Sequence, residues 1–508
     1  MMKDSKVSRR ALEFAVFLCG AVVMVYEITG SRIVSPYIGA STYVWTSLIG
    51  IILAALSLGY WLGGRIADKR PDVRVLGAAV FLAGGAISAT ILIKDLALGF
   101  IAGLPLSLEL KAVTAALFLF APASILLGFV APYAVKLRTA SLNESGSTAG
   151  SLYALSTLGS IAGTFAAGFF LIPYLGSLRT LYLIAAILFA IGLLLGVAGF
   201  VRIKAAALVL FAAAVAVNES SALYLQRAFG SYDIDTEYSR VRVFDSIDPA
   251  TSRKITSMAI DPFYVQSAAY EDSDDLVFEY SKYYALIEDL VPHHRRILMI
   301  GGAGYSFPKY FLAHYPNSRM DVAEIDPGMT QIARTHFRLR ENERLNTFHE
   351  DGRVFLNKSG SGTYDAVLMD AFGSLFSVPF QLTTIEAVRE IERVLKPGGV
   401  VIFNVGSAIK GEASLFLQAE LAAYREVFQT VDVFKINPNR DDADLQNLII
   451  IARRSGGPLE KNTIANASHP ALLSTIYDED IPITVPAPTD DLAPIEFYSS
   501  KAQQLRSF

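Results

Sequence analysis

The pattern of apolar and polar positions changes character near residue 225. Between residue 11 and about residue 218, apolar runs of helical length follow one another with few charges. Beyond residue 230, short apolar runs alternate with amphipathic segments. A helix crosses a bilayer with about 20 apolar residues. The windows 11–30, 43–63, 75–93, 112–133, 150–171, 179–200 and 205–220 meet that length, the last only barely. The stretch LALGFIAGLPLSL (96–108) is too short and contains Pro105, so it reads as re-entrant or interfacial. In YALSTLGSIAGTFAAGFF (153–170), Gly159, Gly163 and Ala167 recur every fourth residue. Small side chains on one helix face let two helices approach closely.

In the second part, RILMIGG, RMDVAEID, LNTFHED, YDAVLMDAF and GGVVIFNV read as buried strands with helical segments between them. TVDVFKI and NLIIIARR extend the series. Strands alternating with helices predict a parallel sheet covered on both faces. Ahead of them, SRVRVFDSID and SRKITSMAID predict a β-hairpin region over 238–261, turning at DPATS. The expected organisation is an α-helical membrane domain of about seven helices (1–225), a small β region (230–262) and an α/β doubly wound, Rossmann-like domain of the class I methyltransferase type (263–508).

Composition agrees with this division. The chain is 52% hydrophobic with a mean hydropathy of +0.40, and the apolar excess is concentrated in the first part. The basic start MMKDSKVSRR precedes an apolar run long enough to span, which contains Glu27 and has no small-x-small cleavage site. That reads as a first transmembrane helix rather than a signal peptide. An acid inside a span needs a partner; pairing with Arg32 and a substrate role are equally expected for Glu27. The single cysteine, Cys19, excludes an intrachain disulfide and a thiolate metal site. The net charge of -4 without a basic stripe argues against a nucleic-acid partner. His293, His294, His336 and His349 have no metal-ligand spacing, so no metal is expected.

The chemistry is expected in RRILMIGGAGYSFPKYF (295–311), where a strand runs into Gly301, Gly302 and Gly304 before a helix. Glycines at the first strand–helix turn let backbone N–H groups approach a ligand. The second strand ends in Glu324 and Asp326, about 20 residues on, where an acid can accept ribose hydroxyls. The third ends in Asp351-Gly352 and the fourth in Asp370. A P-loop is excluded, since GxxxxGK[ST] does not occur, and the third glycine of a dinucleotide fingerprint is missing. The Asp-Gly after strand three and the LKPGG turn before strand five suit an S-adenosyl ligand better than a dinucleotide.

At these residues the chain resembles the spermidine synthase family of aminopropyltransferases, through ILMIGGAGYSFPKY, VAEID, EDGRVFL and YDAVLMDAF. With YEITGSRI (26–33), GYWLGGRIADKR (59–70) and TDDLAPIE (489–496), it is similar over nearly its full length to the membrane-bound branch of that family. The resemblance implies decarboxylated S-adenosylmethionine as co-substrate, a small-molecule amine as acceptor, a bilayer as partner and a homo-oligomer. It implies that Gly301, Gly302 and Gly304 line the nucleoside, that Glu324 binds the ribose and that Asp351 takes the adenine amino group. It implies that Asp370 is the catalytic base.

The departures bear on the acceptor. Gly304 stands where the family has an aspartate, Gly373 falls at a second aspartate, and Tyr238-Ser239 and Tyr280-Ser281 stand for Tyr-Gln and Tyr-Gln/His pairs. Buried ammonium groups need partners. Tyr238, Gln266, Tyr280, Asp490 and Asp491, with Glu496, are the substrate candidates. Besides aminopropyl transfer to another amine, two alternatives are methyl transfer from intact S-adenosylmethionine and a non-catalytic nucleoside sensor. Basic residues gather at 3–10, 65–74, 136–138 and 202–204, so those regions are expected in the cytoplasm. Seven crossings would then put the soluble domain outside. A cytosolic domain is nevertheless expected, because adenosyl sulfonium compounds are made in the cytosol, with one span miscounted.

Overall fold

The computed structural model describes residues 9–139, 145–196, 201–260, 264–371, 378–455 and 467–504. The chain falls into two compact units, Met1–Arg240 and Val241–Phe508.

The first unit is helical: α1 (Arg9–Ile38), α2 (Thr42–Lys69), α3 (Val73–Ala102), α4 (Leu108–Leu119), α5 (Ala121–Gly128), α6 (Val130–Arg138), α7 (Ser145–Ala166), α8 (Ser177–Leu194) and α9 (Val201–Phe229). It ends in a strand, β1 (Tyr232–Asp235). Six helical stretches are long and apolar enough to cross a membrane, and α4 with α5–α6, bent by 53° at the break between them, makes a seventh if the pair counts as one span. The small-residue stripe does what its spacing predicts. A Cβ on Gly159 would lie 2.0 Å from the Phe17 carbonyl oxygen, so α7 meets the α1 backbone directly.

The fourth apolar window, 112–133, is broken where a single helix is expected. Pro122 follows Leu119 by three residues and has no N–H to donate. The helix breaks between α4 and α5, and the Leu119 carbonyl at the end of α4 accepts from the Tyr26 (3.0 Å) and Thr90 (2.7 Å) hydroxyls. Tyr26 is fully buried and stacks obliquely on Phe120, with ring centroids 5.1 Å apart. Replacing both hydroxyls (Tyr26→Phe with Thr90→Val) leaves that carbonyl without these donors. It should cost roughly 1–3 kcal/mol, read as a lower thermal midpoint in detergent, with either single change costing less.

The second unit opens with the antiparallel strands β2 (Arg240–Ile247), β3 (Lys254–Ala259) and β4 (Ser267–Tyr270). The short helices α10 (Glu279–Lys282) and α11 (Ile287–Leu290) lead into an α/β body. Its strands are β5 (Arg296–Ile300), β6 (Arg319–Ala323), β7 (Leu345–Phe348), β8 (Tyr364–Met369), β9 (Leu395–Ser407), β10 (Thr430–Lys435) and β11 (Gln446–Arg453). Its helices are α12 (Ser306–His314), α13 (Pro327–His336), α14 (Gly352–Lys358), α15 (Ile385–Val394) and α16 (Leu415–Val427).

The sheet order is β10-β11-β9-β8-β5-β6-β7. The first five strands in sequence are parallel, but β11 runs antiparallel to β9 and β10 antiparallel to β11. The all-parallel expectation therefore fails at the last two strands. Residues 436–445 carry no crossover helix, and a short connection returns the chain antiparallel. The LKPGG stretch lies inside β9, as an irregularity in its pairing with β8, rather than before it. Side chains alternate between two cores. Leu298 and Ile300 pack with Val388, Ile391 and Leu421, while Ile297 and Met299 pack with Tyr284 and Phe311. From β5 the sheet grows to β6 on one side and β8 on the other, and the crevice at the carboxyl end of such a switch is where doubly wound sheets bind ligands.

Candidate active site

The glycine turn occupies that crevice. Gly301 has φ +90°, and a Cβ there would lie 2.5 Å from the Asp370 carbonyl oxygen, so only glycine lets the ends of β5 and β8 close together. The turn also holds two non-glycine residues in the left-handed region, Ala303 (φ 44°) and Tyr305 (φ 54°). Such conformations cost about 1–3 kcal/mol each and persist where surrounding contacts impose them. Tyr305 is fully buried and bonded to Thr330 at 2.8 Å.

Glu324, at the end of β6, is the other constraint. One carboxylate oxygen accepts from Gly302 N–H (2.8 Å) and Ala303 N–H (3.1 Å), and the other from Asp326 N–H (3.0 Å). A carboxylate has about four acceptor positions, so one remains on the second oxygen for a ribose hydroxyl. Glu324 thus shapes the loop as well as offering an acceptor. Asp326 caps α13, accepting from Gly328 N–H at 2.9 Å, and is itself buried, so its side chain serves the helix. Asp351 caps α14 through one oxygen (Arg353 N–H, 2.9 Å; Val354 N–H, 3.1 Å), and its other oxygen accepts from Gln381 at 3.0 Å. A Cβ on Gly352 would come within 2.5 Å of the Ile300 side chain, which fixes α14 tightly over β5. Ile325 and Val354, next to these acids in sequence, are apolar yet exposed, a surface suited to a purine face.

Asp370 ends β8. Its carboxylate accepts from Asn404 of β9 at 3.2 Å; the Tyr280 and Tyr284 hydroxyls lie near enough to favour its charged form, and the Tyr284 hydroxyl donates to the neighbouring Met369 carbonyl at 3.4 Å. Burial pushes its pKa up to about 7, against the lowering effect of those three side chains. Burial and the Asp370 charge in turn hold both tyrosines well above the usual phenol range, so they remain donors. Asn404 is itself oriented by Asn447, whose amide donates to its carbonyl at 3.1 Å. Tyr280 and Asn447 line a cavity of about 300 Å³ with Phe278, Glu279 and Ile436. The cavity is therefore one side chain away from Asp370.

The remaining sequence candidates separate. Gly304 packs on Ser267: a Cβ would lie 2.4 Å from the Ser267 hydroxyl oxygen, so no aspartate fits there without movement. Gln266 accepts from Ile260 N–H at 2.8 Å. Asp490 is paired, one oxygen accepting from Arg353 (3.0 Å) and the other from the Thr384 hydroxyl (2.6 Å). Asp491 is exposed. Tyr238 is exposed and belongs to the first unit. Gly373 lies outside the described residues. In the first unit, Arg32 donates to the Glu237 carbonyl. Among the described residues no group of three or more His, Cys, Asp and Glu side chains could hold a metal. Tyr284 and Asn404 were not expected. Asn404 had a signal, a lone amide inside the apolar run VVIFNV; Tyr284 had none.

Residues 285–436 match the spermine/spermidine synthase domain. The chain is 34% identical over 176 residues to a polyamine aminopropyltransferase of Vibrio vulnificus, covering 34% of this chain and 57% of that protein. It is 25% identical over 460 residues to polyamine aminopropyltransferase 1 of Streptomyces coelicolor, covering 84% of this chain and 82% of that protein. A probable spermidine synthase from Corynebacterium glutamicum, solved by crystallography, is similar at 21% identity and a TM-score of 0.40, over 51% of this chain and 99% of that one. The C-terminal part of the chain carries a spermidine synthase domain, and polyamine aminopropyltransferases are among its relatives.

Proposed function

We propose that the protein is a membrane-embedded aminopropyltransferase that moves an aminopropyl group from decarboxylated S-adenosylmethionine to a small amine. The observation that carries this reading is Asp370, a half-buried carboxylate at a strand end, beside the glycine loop and one side chain from a cavity. The loop, Glu324 and Asp351 present the acceptors and the close backbone that an adenosyl group needs.

An acceptor amine arrives as an ammonium, which is not a nucleophile. Asp370 takes one of its protons, and Tyr280, Tyr284 and Asn404 hold the carboxylate in place. The freed nitrogen attacks the aminopropyl carbon bonded to the sulfonium. The C–N bond forms, the C–S bond breaks, and the electron pair stays on sulfur, leaving a neutral thioether nucleoside. Because that leaving group needs no proton, one base is sufficient. The proton held by Asp370 then passes to solvent.

The pH dependence tests this step. Asp370 is a base only when ionised, so kcat/KM should fall about tenfold per pH unit below the pKa of about 7. Tyr284→Phe removes a donor that stabilises the carboxylate, so the acid limb should move to higher pH. Initial rates of the purified protein in detergent, with decarboxylated S-adenosylmethionine and a diamine, would show it. A limb unmoved by Tyr284→Phe, or no limb at all, would count against Asp370 as the base.

A further inference from the structure

The polarity of the helices in the first unit fixes where the chain leaves the bundle. This argument rests on the bundle spanning a membrane and is independent of which reaction the second unit performs. The decisive segment is α4 to α6. At its start, Lys111 donates to the Ala102 carbonyl at the end of α3 (2.9 Å). Halfway, the Leu119 carbonyl meets Tyr26 and Thr90. Next, the Ile125 carbonyl oxygen lies 2.2 Å from where a Gly59 Cβ would stand on α2. At its end, Tyr133 donates to the Arg70 carbonyl beyond α2 (2.9 Å), Lys136 pairs with Asp68 and Arg138 with Glu13 near the start of α1. Residues 108–138 therefore travel the whole bundle and make one broken crossing rather than a re-entrant loop.

The other helices follow. Gly159 and Gly163 of α7 face Phe17 and Ala21, so α7 runs parallel to α1. Gly77 and Gly84 of α3 face Gly192 and Ala185, so α8 runs against α3. Gly85 faces Ala207, and Lys94 bonds Asn218 (2.8 Å), so α9 runs with α3. The bundle makes seven crossings, and the chain exits at the end away from residue 9. Asp235 confirms the end by accepting from the Ser177 backbone N–H (2.8 Å) and hydroxyl (2.7 Å) at the start of α8.

Sixteen lysines and arginines occur between residues 9 and 240. Ten lie at the end where α1 starts, in the clusters 9–10, 65–74, 136–138 and 202–204. Six lie toward the exit end (Arg32, Lys94, Lys111, Arg179, Arg227 and Arg240). Basic loops are retained in the cytoplasm. We infer that the second unit lies on the extracytoplasmic face of the membrane, opposite the basic loops. This departs from the cytosolic expectation, which required an even number of crossings. Under the proposed function, the sulfonium donor is a cation that does not cross a bilayer unaided. The class of step that must precede this enzyme is then carrier-mediated transport of that donor to the outer face.

Cysteine accessibility in intact cells tests the inference. Cys19 is the only cysteine, and Cys19→Ala gives a cysteine-free chain. Into it are placed Glu343→Cys, exposed in the second unit, or Pro71→Cys, exposed between α2 and α3. With a membrane-impermeant maleimide, Glu343→Cys should label as fully in intact cells as after permeabilisation, and Pro71→Cys only after permeabilisation. The reverse pattern overturns the inference. A carboxyl-terminal alkaline phosphatase fusion of the unsubstituted chain guards against misfolded variants. It should be active, and a silent phosphatase with a fluorescent cytosolic reporter at the same position overturns the inference equally. Neither readout depends on aminopropyl transfer.

Discussion

Asp370→Asn should lower kcat by about 10²- to 10⁴-fold, the usual contribution of a positioned base, while leaving binding of the adenosyl donor unchanged. The substitution keeps the shape of the side chain and its place beside Asn404, Tyr280 and Tyr284, and removes only the charge. The donor contacts lie elsewhere, at the glycine loop, Glu324 and Asp351, so a calorimetric titration with decarboxylated S-adenosylmethionine should give the parent affinity. The split between turnover and binding is the diagnostic feature. If Asp370→Asn retained turnover, the proton would be going to another group and the mechanism would be wrong. Equal losses of affinity and turnover would show Asp370 to be a binding residue.

The second large effect is expected at Glu324, and it has the opposite signature. Three backbone N–H groups end on this carboxylate. In Glu324→Gln one of the two oxygens becomes an NH₂ group, so whichever way the amide turns, at least one N–H loses its acceptor. A buried N–H left unsatisfied costs about 1–3 kcal/mol, or roughly 5- to 150-fold in affinity. Glu324→Ala removes all three acceptors. It should release Ala303 and Tyr305 from their left-handed conformations and abolish donor binding. Donor affinity is the quantity to measure, with thermal stability as the control. A Gln variant that binds as tightly as the parent would mean that the loop is held by other contacts and that the ribose does not depend on this acid.

The contrast between the two acids also shows what was legible in the sequence. Strand ends carry their residues to one edge whatever the loops do, so Glu324, Asp351 and Asp370 could be placed from the apolar runs that precede them. Their partners could not. Asn404 reaches Asp370 because β9 lies beside β8, and Tyr284 comes from a segment 86 positions upstream of it in the chain. Both facts follow from sheet order and packing rather than from local pattern. Asp490 likewise has a partner that the local pattern does not show, since Arg353, which pairs with it, lies 137 residues away. The antiparallel β10 and β11 were readable in principle, since ten residues without a helical pattern do not make a crossover. The break between α4 and α5 had its sign in Pro122, while the hydroxyls that meet the Leu119 carbonyl there come from α1 and α3.

The most direct test of the central claim is the identity of the products. The purified protein would be incubated with a diamine and either decarboxylated or intact S-adenosylmethionine, and the nucleoside and amine products measured by mass spectrometry. Aminopropyl transfer through Asp370 predicts that the decarboxylated donor gives methylthioadenosine and one equivalent of aminopropylated amine, that the intact donor gives neither, and that Asp370→Asn suppresses both. A methylated product with S-adenosylhomocysteine from the intact donor, or aminopropyl transfer undiminished in Asp370→Asn, would contradict it.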